Sequence, residues 1–196
     1  MARTPSKEAH DKVLNAALRL IAERGIEATS MDAIAAEAGV SKATVYKHWE
    51  NKDALLIDTI RNHSDELPEF DSGNPREDMV RLVRYLAESR KREELGPVWH
   101  RIIGYAMGNP EFLRALQAFA FEPRRVRIQR IVAQAVEKGE LRRGIDAALA
   151  ADLLIGPVMH RRFSGDTMPR DMPERIVDYF WRVFAGDGAP ENRARS

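Results

Sequence analysis

Five side chains between residues 42 and 48 can make directional contacts with a polar partner: Lys42, Thr44, Tyr46, Lys47 and His48. The two ammonium groups can donate to guanine acceptors or to phosphate oxygens. The phenol and the imidazole suit phosphate, which fixes register without reading sequence. The methyl groups of Thr44 and Ala43 can touch the methyl of thymine. The rest of the chain holds little that could drive a reaction. It has no cysteine, and His10, His48, His63, His100 and His160 show no metal-ligand spacing. No glycine-rich phosphate loop precedes a helix, and there is no nucleophile elbow. Glu93-Glu94 and Asp65-Glu66 read as solvated acids near helix ends. No catalytic residue, metal ligand or cofactor is therefore expected, and the chain is not expected to be an enzyme.

Two short helices and a tight turn must position the polar set. The first helix, Met31 to Ala38, carries Ile34, Ala35 and Ala38 on one face. Gly39 supplies the positive φ of the turn. Ser41 is a suitable N-cap for a second helix, about Lys42 to Trp49. Val40, just before that cap, and Val45, four positions into the helix, have the spacing of a hydrophobic staple. At ~100° per residue Val45 and Trp49 point inward, whereas Ala43 and Lys47 point away from them. Thr44 and Tyr46 flank the exposed face, His48 lies at its border and Lys42 at its tip. Lys52 opens the next helix, where its ammonium and the helix N–H groups could hold a phosphate. This is a helix-turn-helix, whose second helix fits the major groove of double-stranded DNA.

From residue 29 to 55 the chain reads T-S-M-x-x-I-A-x-x-A-G-V-S-x-x-T-V-Y-x-H-W-x-x-K-x-x-L, near the start of 196 residues. This resembles the TetR family of bacterial transcriptional repressors over about residues 8 to 60. The resemblance implies phosphate contacts from Thr29 and Ser30, base contacts from Lys42, Ala43, Thr44 and Lys47, and phosphate contacts from Tyr46, His48 and Lys52. One departure is Trp49, where the family pattern often has Phe. It enlarges a core contact and leaves the binding role unchanged.

Composition neither contradicts nor announces this. The hydrophobic share is 44% and the charged share 31%, as in ordinary globular proteins. Net charge is +1, and the first 60 residues carry eight basic against nine acidic side chains. Any positive field toward DNA must be local, at Lys42, Lys47 and Lys52, with Arg3 and Lys7 as a basic arm. The N-terminus has no apolar core of a signal peptide. The most apolar stretch, Ala147 to Met159, is interrupted by Asp152 and falls short of the ~20 residues of a membrane span. A cytoplasmic protein is expected.

Nearly every segment has helical period, so an all-α fold of about nine helices is expected: an N-terminal helix-turn-helix domain over 8–54, a helical effector-binding and dimerisation domain over 55–185, and a disordered tail over 186–196. Helices are expected at about Glu8–Arg24, Asp53–Glu66, Arg76–Lys91, Leu95–Met107 (with Pro97 in its first turn), Asp146–Phe163 and Pro173–Ala185. A long element from Pro110 to Glu137 should break or kink at Pro123. The last two helices carry more apolar residues than one stripe can use. Leu153, Leu154, Val158, Ile176, Phe180, Trp181 and Phe184 are therefore the expected two-fold interface of a homodimer, an arrangement the family resemblance also implies. Between helices, Trp99, Ile103, Met107, Phe112, Leu116, Phe119, Met159 and Phe163 are candidate walls for a small apolar effector, with His100 and His160 for polar orientation. Arg124, Arg125, Arg127 and Arg130 read as a solvated face. The expected function is a repressor that binds a pseudo-palindromic operator as a homodimer and is released by that effector. The alternative is a helical protein-interaction module that never touches DNA.

Overall fold

The structure is a computed structural model that describes residues 5–88 and 91–186. In chain order its helices are α1 (Pro5–Arg24), α2 (Met31–Ala38), α3 (Lys42–His48), α4 (Lys52–Asn62), α5 (Pro75–Glu88), α6 (Lys91–Gly108), α7 (Pro110–Leu116), α8 (Glu122–Glu137), α9 (Ala147–Ser164) and α10 (Met172–Val183). A π-helical turn, Gln117–Phe121, joins α7 to α8 without a break, so these two make the single long element expected and the described residues form nine rods. Among the described residues the only extended pairing is one isolated antiparallel bridge, Leu141 with Ala185. Arg3 and the expected tail beyond Gly186 lie outside the described residues.

The helices pack as two compact units. In the first, α1, α2, α3 and the start of α4 enclose Leu14, Ala17, Ile34, Ala35, Val45, Trp49 and Leu55. A second cluster of the same unit joins Ile21, Ile26, Leu56 and Ile60 to Val98, Ile102, Phe112 and Leu116 of α6 and α7. Helix α4 thus gives Leu55 to one cluster and Leu56 and Ile60 to the other. Each large apolar side chain so buried contributes about 1.5–3 kcal/mol. The other unit packs α5, α8, α9 and α10 around Leu82, Ile131, Leu154, Val177 and Phe180. The first packing unit takes in α6 and α7 because they pack with α1 and α4.

Three local departures have physical causes. Helix α4 ends at Asn62, short of Glu66, because buried His63 caps it and contacts the Thr59 carbonyl (2.8 Å) and Asn15 of α1 (3.0 Å). Helix α6 starts four residues earlier than expected, since Lys-Arg-Glu-Glu at 91–94 are good helix formers, and Pro97 falls inside it. The disturbance at Pro123 takes the form of the π-helical turn just before it. An i→i+5 turn accommodates a residue that lacks a donor and clashes with the turn behind it.

Candidate nucleic-acid interface

The helix-turn-helix is built as its residues demand. Ser30 caps α2, its Oγ accepting from Ala33 N at 3.1 Å. Gly39 ends α2 at φ 66°, and its N–H bonds the carbonyls of Ala35 and Ala36. Ser41 caps α3, its Oγ accepting from Thr44 N at 3.1 Å and sharing a hydrogen bond of 2.8 Å with Thr44 Oγ1. Val45 is fully buried, and Val40 is partly buried against the same cluster, as a staple requires.

Trp49, the C-cap of α3, fixes the far end. Its Nε1 donates to Asp58 Oδ2 at 3.1 Å, and His10 Nε2 contacts the same oxygen at 3.1 Å. The His10 ring lies 4.8 Å from the Trp49 ring and 5.9 Å from that of His48. One carboxylate thereby clasps α1, the end of α3 and α4. Asp58 and His10 carry no local sequence signal for this, being nine and 39 positions from the tryptophan.

With Val45 and Trp49 inside, the opposite side of α3 is open. Ala43, Tyr46, Lys47 and His48 are exposed, Tyr46 at 54%. Lys47 has no ion-pair partner among the described residues. Lys42 is also exposed but lies 2.5 Å from Asp32 of α2. A hydrogen bond and the charge of that carboxylate hold its ammonium above the usual lysine range. Thr44 is half-buried beside the cap.

Two residues expected at phosphates have partners inside the protein. Thr29 is buried and donates its hydroxyl to the Gly25 carbonyl at 2.7 Å, so that donor is spent inside the turn. Lys52 donates to the Ile26 carbonyl at 3.0 Å and lies 5.6 Å from the centre of the Tyr105 ring, which makes it a strut between segments. Tyr105 of α6 donates to Asp53 Oδ1 at 2.7 Å. Burial, then that hydrogen bond, push its phenol up to about 12. Ser30 stays exposed and keeps a hydroxyl proton to give.

The other candidate residues scatter. Phe112 and Leu116 are core of the first unit; Trp99, Ile103 and Phe119 are partly buried against it. Met107 is 73% exposed, and His100 is exposed too. Of the second-unit candidates Met159 packs on the core, whereas His160 and Phe163 are exposed. The interface candidates are corrected more sharply. Leu154, Val158, Ile176, Phe180 and Trp181 are buried in their own unit's core and Phe184 is partly buried against it, so these cannot be the face a second chain covers. Leu153 alone of that set is exposed; it is accompanied by Leu149 one turn before it and by Tyr179 and Val183 of α10. Helical spacing shows that α9 and α10 are apolar on two sides but not which side the monomer uses.

Known proteins share this sequence and this architecture. Residues 13–59 match the family model described as "Bacterial regulatory proteins, tetR family", and residues 69–180 match "Tetracyclin repressor-like, C-terminal domain". The chain is 35% identical over 153 residues to the HTH-type transcriptional regulator YdeS of Bacillus subtilis, which covers 78% of this chain and 77% of that one. It is 29% identical over 182 residues, 90% of this chain and 94% of the other, to the DNA-binding transcriptional repressor TetR of Mycobacteroides abscessus. The fold matches that of SmeT in its complex with triclosan, with a TM-score of 0.64 and 22% identity over 96% of this chain and 98% of that one. The chain belongs to the TetR family of bacterial transcriptional regulators, which are DNA-binding proteins and not enzymes.

Proposed function

We propose that the protein is a homodimeric repressor that binds a pseudo-palindromic operator and leaves it when a small molecule binds its helical domain. The observation that carries this is the split of α3 into a fully buried Val45 side and an exposed Ala43–Tyr46–Lys47 side. Lys47 and Ala43 face bases, Lys42 joins them once it exchanges Asp32 for DNA, and Tyr46, His48 and Ser30 hold phosphates. One helix of this length makes few base contacts, so a second copy supplies the rest, in the next major groove about 34–36 Å away. Leu149, Leu153, Tyr179 and Val183 form the apolar seam on which the copies meet. Repression is supported by the relative of that function in Mycobacteroides abscessus, and release by a ligand is supported by the triclosan complex of SmeT. The cytoplasm is the compartment such a role requires; among the described residues no helix is long and apolar enough to cross a membrane.

A signal can reach α3 along a continuous route inside the first unit. Helices α6 and α7 share a core with Leu56 and Ile60 of α4, Tyr105 of α6 holds Asp53 at the start of α4, and Asp58 of α4 holds Trp49. An effector acting on the aromatic layer of Trp99, Phe112 and Phe119 shifts α3 only by binding the two arrangements with different affinity. The test is nuclease protection of the DNA flanking the coding gene. An inverted repeat protected by the wild type and exposed by Tyr46→Ala/Lys47→Ala, with dimer intact, is the expected result. Equal protection by both proteins would favour a protein-interaction module.

A further inference from the structure

Two of the five histidines meet at the far end of α3. His48, exposed on α3, stands edge to face with His10 of α1, the ring centres 5.9 Å apart and the planes at 83°. Among the described residues no hydrogen bond holds the His48 ring; it is bordered by His10 and by Trp49, whose ring centre is 5.6 Å away. His10 is held far more firmly. Its Nε2 lies 3.1 Å from Asp58 Oδ2, and a carboxylate oxygen only accepts, so Nε2 carries the proton and donates. Trp49 Nε1 donates to the same oxygen, and its ring lies 4.8 Å from the imidazole with the planes 33° apart. The other nitrogen, Nδ1, is 4.0 Å from Asp11 Oδ1 of the same helix, too far for a hydrogen bond. The charged groups in contact or in register with the pair are Asp11 and, one turn before His10, Lys7 on α1, Lys47 on α3, Glu50 in the turn that follows, and Asp58 on α4.

Neutral His10 spends its one N–H on Asp58 and keeps a lone pair beside Asp11. A second proton, on Nδ1, turns that approach from repulsive to attractive and sets a cation within reach of the Trp49 ring face. An amide in this place can give Asp58 the same donor, but only an imidazole can also change its charge between pH 5 and 8. The pair lies where α3 is read as meeting DNA. A backbone phosphate at His48 brings an anion to both rings, and an anion that prefers the cationic form draws a proton from solvent as it binds. We propose that His10 is a positioning residue of the DNA interface, and that the His10–His48 pair takes up a proton when a duplex binds. His48 holds a phosphate, and His10, fixed by Asp58 and Trp49, sets the angle of the His48 ring. With the rings this close the proton belongs to the pair and not to either member. The inference rests on the reading that α3 meets DNA and adds a regulation of that site: binding tightens as pH falls from 8 to 6.

The test is binding of the full chain to a duplex enriched from random sequence by the wild-type protein, read by anisotropy at pH 6.0 and pH 8.0 and equal ionic strength. Wild type is expected to bind roughly fivefold to tenfold more tightly at pH 6.0, as a one-unit change in proton affinity on binding allows. His10→Gln keeps an N–H for Asp58 and cannot titrate. It is expected to fold, with an unfolding midpoint at pH 8.0 within about 2 °C of wild type, and to lose at least half of the logarithmic pH response. His48→Asn, an exposed change that leaves the core untouched, is expected to lose as much. Titration calorimetry in two buffers of unlike ionisation enthalpy should show protons taken up by wild type and fewer by either variant. Equal wild-type affinity at the two pH values would overturn the proposal. A full pH response in His10→Gln would also overturn it and make His10 a structural strut, and a full response in His48→Asn would remove the pair. Failure to bind any duplex at either pH would instead remove the DNA reading, and the proposal with it.

Discussion

In the proposed reading DNA recognition turns on Lys47, which faces outward from α3 and has no ion-pair partner among the described residues. Lys47→Ala is expected to cost about 1–3 kcal/mol of operator binding if it donates to a guanine, measured by anisotropy at fixed salt. If it meets only phosphate, the loss is uniform across sequences and the salt slope falls by about one. Lys42 behaves differently because Asp32 already occupies it. Asp32→Asn frees the ammonium and removes a negative charge from the DNA side, so tighter binding, by a few-fold and most at low salt, is the expected outcome. The polar set of α3 was legible in the sequence because a seven-residue helix with Val45 inside leaves little choice for its neighbours. The internal partners of Thr29 and Lys52 were not legible there, for a different reason. Their partners, the carbonyls of Gly25 and Ile26, are backbone groups of a turn whose path only the folded chain defines.

Caps and turns decide how firmly α3 is aimed. Ser41→Ala removes the acceptor for Thr44 N, and about 1 kcal/mol of stability should go with it in urea unfolding. Gly39→Ala meets nothing within 4 Å, so its whole cost is the left-handed φ, roughly 1–2 kcal/mol. The link from α6 to α4 has a pH signature. The Tyr105 phenol is raised from 10.0 to about 12 in the folded chain. A group raised in this way adds stability that is whole below pH 10 and is lost as pH rises through about 12. Tyr105→Phe should therefore melt lower than wild type at pH 8, and the gap should narrow between pH 10 and pH 12. Gly39 and Ser41 announced the end of α2 and the start of α3 from sequence. The end of α4 did not announce itself, because His63 stops it by reaching Asn15, 48 positions back in the chain.

On the proposed reading two copies read DNA together, and the exposed seam of α9 and α10 is where they are expected to meet. Leu153→Glu/Tyr179→Glu should sediment as a monomer and bind operator at least tenfold more weakly, while its circular dichroism stays unchanged, since neither side chain is in the core. Leu154→Glu should unfold the second unit instead, because Leu154 is fully buried. The helical class and the two-part organisation were readable from apolar period and from Gly39, Pro110 and Asp146. Which apolar side of α9 and α10 faces its own core was not, because period gives the angle between side chains and not the identity of the neighbour. The most direct measurement of the central claim is a salt titration of binding to a duplex enriched from random sequence by the wild-type protein. An enriched inverted repeat, a steep fall of affinity with salt, and at least a hundredfold loss in Tyr46→Ala/Lys47→Ala with fold and dimer intact are the predicted results. No enrichment, or equal affinity of the variant and the wild type, would contradict the account.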